Sequence, residues 1–217
     1  RALARREHAA EREEVRVERF ASARGFPARL HSGERPQRRR LRAARRAVGR
    51  RERLAAAHAV EAGLRALGLP KPHTRISAYR AMDGEIDPSI VLHRALALGC
   101  DVHLPVITNL RSRRMSFVPL TGAGMLAPPS AAIAPRWLDL VLVPLVGFDG
   151  RGNRLGMGAA FYDRHFGFLR HRRAWRRPLL VGLAFDLQRV ENLPVTPHDV
   201  PLWGVVTERV FYRGGAQ

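Results

Sequence analysis

The stretch "WLDLVLVPLVGF", residues 137–148, limits the possible folds of this chain more than any other. It is the longest apolar run, broken only by Asp139 and Pro144. A bilayer crossing takes about 20 apolar residues, so the run is too short to be one. Apolar residues without alternation read as a strand buried on both faces, as at the centre of a parallel sheet. Such a strand needs a layer of structure on each side.

The flanking segments can supply those layers. Residues 38–68 carry helical spacing: Leu41, Ala44 and Val48 share a face, and Leu54, Ala57, Val60, Leu64 and Leu67 continue it after Gly49. Gly68 and Pro70 form a stop signal. "RISAYRAM" from residue 75 reads as a strand. "DPSIVLHRALALG" reads as a helix, with Asp87 able to cap it and Pro88 at its first position. "DVHLPVI" and "RRMSFVPL" are strands, 121–135 is a loop without periodicity, and "AAFYDRHFGFL" is a helix. "LLVGLAF" is a second buried strand and "WGVVTERVFY" a single closing strand. Strands alternating with helices predict a three-layer α/β fold, Rossmann-like in class, with a mainly parallel sheet and helices on both faces.

The chain has 217 residues, 46% of them hydrophobic, which suits one α/β domain with a real core and argues against disorder. Residues 1–36 alternate charge clusters with Gly and Pro. They read as an arginine-rich extension in which "EHAAEREEVRVERF" could form a polar helix, ahead of a single domain at 37–217. The net charge is +19, and Lys71 is the only lysine among 38 basic residues. Residues 1–54 hold 18 Arg against 7 Glu. Such a chain attracts polyanions: nucleic acid, nucleotides, or polyglutamylated or phosphorylated substrates. Cys100 is the only cysteine, so no internal disulfide can form, and a reducing, cytoplasmic compartment fits. The N-terminus carries acids and no apolar signal core, so neither secretion nor transit is expected. A monomer with no membrane span is expected.

Ligands of such sheets bind at the carboxyl ends of the strands. Three polar segments gather there: "AMDGEID", "DGRGNRLGMGAAFYDR" and "DLQRVENLPVTPHDVPLW". The middle one has Gly152, Gly156 and Gly158 ahead of a helix N-terminus, where unpaired amides stabilise an anion and Arg154 could add a donor. It lacks the Gly-Lys-Ser/Thr end of a Walker A loop, and Phe161 stands at the third glycine of G-x-G-x-x-G. A plain strand-to-helix turn and a phosphate loop therefore both stay open. Asp163 reads as a magnesium ligand or as favourable charge at a helix start, and Asp199 as a second ligand or a turn residue. Gly84 permits a tight turn that aims Glu85 into the cleft. There Glu85 could bind the amino-pyrimidine edge of a pterin-like ring or hold an amine; otherwise it belongs to an acidic turn. Arg38, Arg42, Arg45 and Arg46 ring one helix, either as phosphate forks or as a solvated basic face. Nucleic-acid binding is the rival function, although no aromatic residue is interleaved with these arginines. No Ser-His-Asp order and no Cys-His pair suggests covalent side-chain catalysis.

"LVPLVGFDGRGNRLGMGAAFYDR" followed by "GLAFDLQRVENLPVTPHDVPLWGVVTE" resembles the 5-formyltetrahydrofolate cyclo-ligase family, also called methenyltetrahydrofolate synthetases. "RRRLRAARRAV" resembles that family's opening basic helix and "AMDGEID" its folate-side loop. The likeness covers about residues 38–212. It implies an enzyme that uses ATP and Mg2+ to close 5-formyltetrahydrofolate to 5,10-methenyltetrahydrofolate. ATP phosphorylates the formyl oxygen, a nearby nitrogen closes on the activated carbon, and ADP and phosphate leave. By position, the resemblance implies Arg38, Arg42, Arg154, Leu155, Gly156, Met157, Gly158, Ala159, Ala160, Phe161 and Tyr162 on ATP. It implies Arg80, Glu85 and Tyr162 on the folate, Arg154 and Tyr162 in catalysis, and Asp163 and Asp199 on the metal. Two departures stand out. Ala159 and Ala160 replace a usual glycine-rich run, and residues 121–135 are shorter than the family's equivalent. A homologue that binds ligand but turns over poorly is the alternative they raise.

Overall fold

The structure, a computed structural model, describes residues 34–121, 124–172 and 177–215. The polar helix expected within 1–36 lies outside the described residues. The helices are α1 Glu34–Ala47, α2 Arg50–Ala66, α3 Ser89–Ala97 and α4 Phe161–Phe166. The strands are β1 Arg75–Ser77, β2 Asp101–Asn109, β3 Arg114–Pro119, β4 Leu140–Pro144, β5 Gly147–Phe148, β6 Arg154–Leu155, β7 Leu179–Leu183, β8 Gly204–Val206 and β9 Phe211–Arg213.

Seven strands form one sheet in the order β3-β2-β1-β4-β7-β8-β9, while β5 and β6 make a separate hairpin. β2, β1, β4, β7 and β8 run parallel, and β3 and β9 are antiparallel edges. β4, the strand of the long apolar run, lies in the middle. Successive side chains of a strand point to opposite faces, so Leu140 and Leu142 enter one core cluster and Val141 and Val143 another. The first cluster is covered by α2 and α3 through Ala57, Val60, Leu64, Val91 and Ala95. The second is covered by Phe161, Phe166 and Leu169, packed against Phe117. The three-layer α/β expectation holds.

Several local expectations do not. The strand from residue 75 stops at Ser77, and Ala78 to Arg80 leave the sheet. The closing strand is a hairpin because Thr207 turns the chain: its Oγ1 accepts from the amides of Arg209 and Val210 and donates to Val210 O. Pro88 precedes α3 rather than opening it, and Asp87 accepts from the Ser89 amide at 2.9 Å. Leu54 and Ala44 are exposed rather than inward. Helix α1 begins at Glu34, ahead of residue 38, where the helical spacing begins. Among the described residues, no helix is long and apolar enough to cross a membrane.

The chain leaves β1 for β2 on one side and later enters β4 on the other. That reversal opens a crevice at the carboxyl ends of β1 and β4. Helix α1 lies there: its Leu41 packs with Val146, Leu155 and Leu193 from the loops beyond β4 and β7.

Candidate active site

The "AMDGEID" loop is built first by its backbone. Asp83 and Gly84 both have positive φ (56° and 78°), and the Glu85 amide donates to Met82 O at 3.0 Å. Positive φ at both central residues is the pattern of a type I′ turn, which Asp-Gly favours. A Cβ on Gly84 would also meet Arg45 O at 3.2 Å, so the turn can press against α1 only with glycine there. The turn fixes Glu85, whose Oε2 accepts from the Met82 amide at 3.2 Å.

Asp83 binds three arginines of α1. It takes Arg42 Nε at 2.7 Å, Arg45 Nη2 at 3.0 Å and Arg46 Nε. Burial opposes its ionisation, but hydrogen bonds from Arg42 and Arg46 and the surrounding positive charge outweigh this and hold its carboxyl below the usual range. Arg45 is 1% exposed, so the reading of a solvated basic face is corrected for it. Its Nε donates to Asp83 O at 3.1 Å and its Nη1 to Leu145 O at 3.0 Å, and Nη1 lies 3.5 Å from Glu85 Oε1. Burial pushes the Glu85 carboxyl up to about 7 against the pull of Arg45.

Along α1, a cleft of about 310 Å³ is lined by five of its arginines, among them Arg38, Arg42 and Arg46, facing Val146 and Met157. Arg38 donates to Glu34 Oε2 at 3.0 Å, while its Nε is buried without a partner among the described residues. Burial pulls the Arg38 pKa down, with Glu34 opposing.

The glycine loop is less open than a simple turn. Asp149 ties it at its start: the buried carboxylate accepts from the amides of Arg151, Asn153 and Leu193 and from Asn153 Nδ2. Gly152 serves packing, since a Cβ there would meet Leu202 O at 2.7 Å. The side chains of Leu155 and Phe161 turn into the core. Gly156, Met157, Gly158 and Ala160 keep exposure, and Met157 reaches the cleft. Ala159 packs against the core, whereas Ala160 is exposed at φ 52° just before α4.

Arg154 joins this loop to the one after β7. Its Nη1 donates to Val200 O and its Nη2 to Asp163 Oδ1, each at 2.6 Å, and its guanidinium lies 6.0 Å from the Tyr162 ring. Asp163 Oδ1 also accepts from the Val200 amide at 3.0 Å. Tyr162 lies within electrostatic reach of Glu85 and Arg154, and burial raises its phenol pKa. Asp199 neighbours Val200 in sequence, and its Oδ2 accepts from the Thr196 amide at 2.6 Å. Arg80 is exposed, just after buried Tyr79.

The structure thus joins Arg42, Arg45, Asp83 and Glu85 in one cluster and Arg154, Tyr162 and Asp163 in another. Gln188 pins the central strand end from the third loop, donating to Leu145 O and Val146 O. Asp149, Gln188 and the clamping role of Arg45 were not read from the sequence. For Arg45 a signal existed: Leu41, Arg45 and Val48 fall on one helical stripe, and all three are buried.

For magnesium, the donors suit an ion that arrives with phosphates rather than one caged by protein. Among the described residues no cluster of three or more His, Cys, Asp or Glu could hold a metal. Both described bonds to Asp163 fall on Oδ1, so its Oδ2 remains suited to a metal carried by a nucleotide.

A model of the 5-formyltetrahydrofolate cyclo-ligase family matches residues 31–208. The chain is similar to the 5-formyltetrahydrofolate cyclo-ligase of Escherichia coli K12, 34% identical over 62% of this chain and 78% of that one. It is similar to the Haemophilus influenzae enzyme of the same name, 33% identical over 60% and 74%. In solved structures it resembles a 5,10-methenyltetrahydrofolate synthetase of Aquifex aeolicus, with TM-score 0.67 and 25% identity over 85% of this chain and 95% of that one. One from Mycoplasma pneumoniae shares the fold, with TM-score 0.67 and 21% identity over 82% and 99%.

Proposed function

The chain belongs to the 5-formyltetrahydrofolate cyclo-ligase family, and we propose that it closes 5-formyltetrahydrofolate to 5,10-methenyltetrahydrofolate with ATP as co-substrate. One observation carries the reading. An arginine-lined cleft and a buried glutamate turn meet along α1, with Arg42 common to both. A polyanion and an amino-pyrimidine ring can be held side by side there.

In this reading Arg38 and Arg42 bind ATP phosphates, with the backbone of 156–160 along the same cleft. Guanidinium forks fit phosphate oxygens. Nucleotide would draw Arg42 from Asp83, which keeps Arg45. Glu85 accepts hydrogen bonds from the folate ring, beside Tyr162 and near exposed Arg80. The formyl oxygen attacks the γ-phosphorus and ADP leaves. The linker amine between the pterin and aryl rings then attacks the activated formyl carbon, gives up its proton, and phosphate departs. The chain contributes no nucleophile. It acts by positioning the two substrates and stabilising charge that moves onto phosphoryl oxygens. Arg154 keeps Tyr162 and Asp163 in register through its bonds to Asp163 and Val200. Magnesium would be held by Asp163, with Asp199 next to the Val200 whose amide bonds Asp163, and would neutralise phosphate charge when bound.

Purified protein with ATP, magnesium and 5-formyltetrahydrofolate should develop the near-ultraviolet absorbance of the methenyl product. No ATP-dependent rise at high enzyme concentration would overturn the reading.

A further inference from the structure

Arg45 is as buried as a core leucine, yet it sits among basic neighbours that line the nucleotide-side cleft. Its guanidinium bonds span the crevice: Asp83 O and Asp83 Oδ2 lie on the turn after β1, and Leu145 O lies at the end of β4. Glu85 Oε1 at 3.5 Å is beyond hydrogen-bond range but close for a charge pair. The Glu85 side chain is only 7% exposed. An isolated carboxylate at that depth would take up a proton. Arg45 and Arg42 from α1 favour its ionised form, while Asp83 in its own turn opposes it. Tyr79 after β1 and Tyr162 on α4 face it as neutral phenols.

We propose that Arg45 is a positioning residue that holds Glu85 charged and in place for the folate, while locking the nucleotide-side helix to the folate-side turn. The inference rests on the cyclisation reading above for the role of Glu85. Lysine could not replace Arg45 fully, because a single ammonium cannot reach Asp83, Leu145 and Glu85 with one rigid fork.

The test uses the full chain with Arg45→Met, Arg45→Lys, Glu85→Gln and the double variants. KM for each substrate is measured across pH, and the Glu85 carboxyl is titrated by infrared difference against Glu85→Gln. Arg45→Met should move the Glu85 midpoint and the acid limb of kcat/KM for folate upward. It should raise the folate KM at neutral pH by about fivefold for the first unit of that movement and about tenfold for each further unit, with the ATP KM within about twofold. Arg45→Lys should recover the midpoint and only part of the folate KM. On the Glu85→Gln background neither change should add to the folate KM. A purely structural Arg45 would lower Tm and shift both KM values without moving the midpoint, which would overturn the proposal. Additive losses would overturn it too. Should Arg45→Met not fold, Arg45→Lys carries the double-variant reading. A wild type without ATP-dependent turnover would defeat the cyclisation reading instead, and the Glu85 midpoint in the Arg45 variants would still decide the charge-holding claim.

Discussion

Glu85 carries a carboxyl whose folded pKa, about 7, lies above its ordinary value because burial disfavours the charge. A raised acid pKa means that the folded chain holds the proton more tightly than the unfolded one. The resulting stabilisation is complete below the unfolded pKa and is lost as pH rises through about 7. Glu85→Gln should therefore exceed wild type in stability at pH 8 by on the order of 2 kcal/mol, and the gap should close near pH 4. Denaturant midpoints at both pH values check this; an equal gap at both would refute it. Asp83 has the opposite sign: its lowered pKa adds stability that disappears in acid. The Asp-Gly turn that aims Glu85 was legible in the sequence because only a few residues accept positive φ. For Arg45 the sequence held only a hint, its place on one stripe with Leu41 and Val48. An arginine on a helical stripe reads as solvated until its partners from distant segments are known.

At the scale of elements, the start of α4 separates two adjacent alanines. Ala160 sits exposed in the left-handed region, where a Cβ costs about 1 kcal/mol, and Ala159 buries its methyl against the second core cluster. Ala160→Gly should raise stability by up to about 1 kcal/mol. Ala159→Gly should lower it by about the same amount through the lost methyl contact and added chain freedom. Opposite shifts in thermal midpoint would be the signature, and two shifts of the same sign would refute the assignment. The sequence marked both alanines as departures but could not tell them apart, because one left-handed residue changes which way each methyl points. The same limit hid the β5–β6 hairpin inside the glycine loop. Two paired residues on each side leave no periodicity to detect.

At the scale of the molecule, α1 is where truncation should begin to matter. Glu34 partners Arg38 in the first turn of that helix, and the family match begins at residue 31. Deletion of residues 1–30 should leave the ATP KM within about twofold, while deletion of 1–36 should raise it several-fold. Steady-state kinetics on the two truncations check this, and equal effects would refute it. By itself the sequence determined the layered α/β class and the central place of "LDLVLVPLVGF", because alternation, its absence and helical spacing are local signals of burial. It also determined which three loops converge. The tertiary structure alone decided that Arg45 is a buried clamp, that Asp83 gathers three arginines, and that Arg154 bridges Asp163 to Val200. Those contacts join residues distant in sequence, and a charged side chain's partner is set by which segments the sheet order brings together, not by its neighbours in the chain.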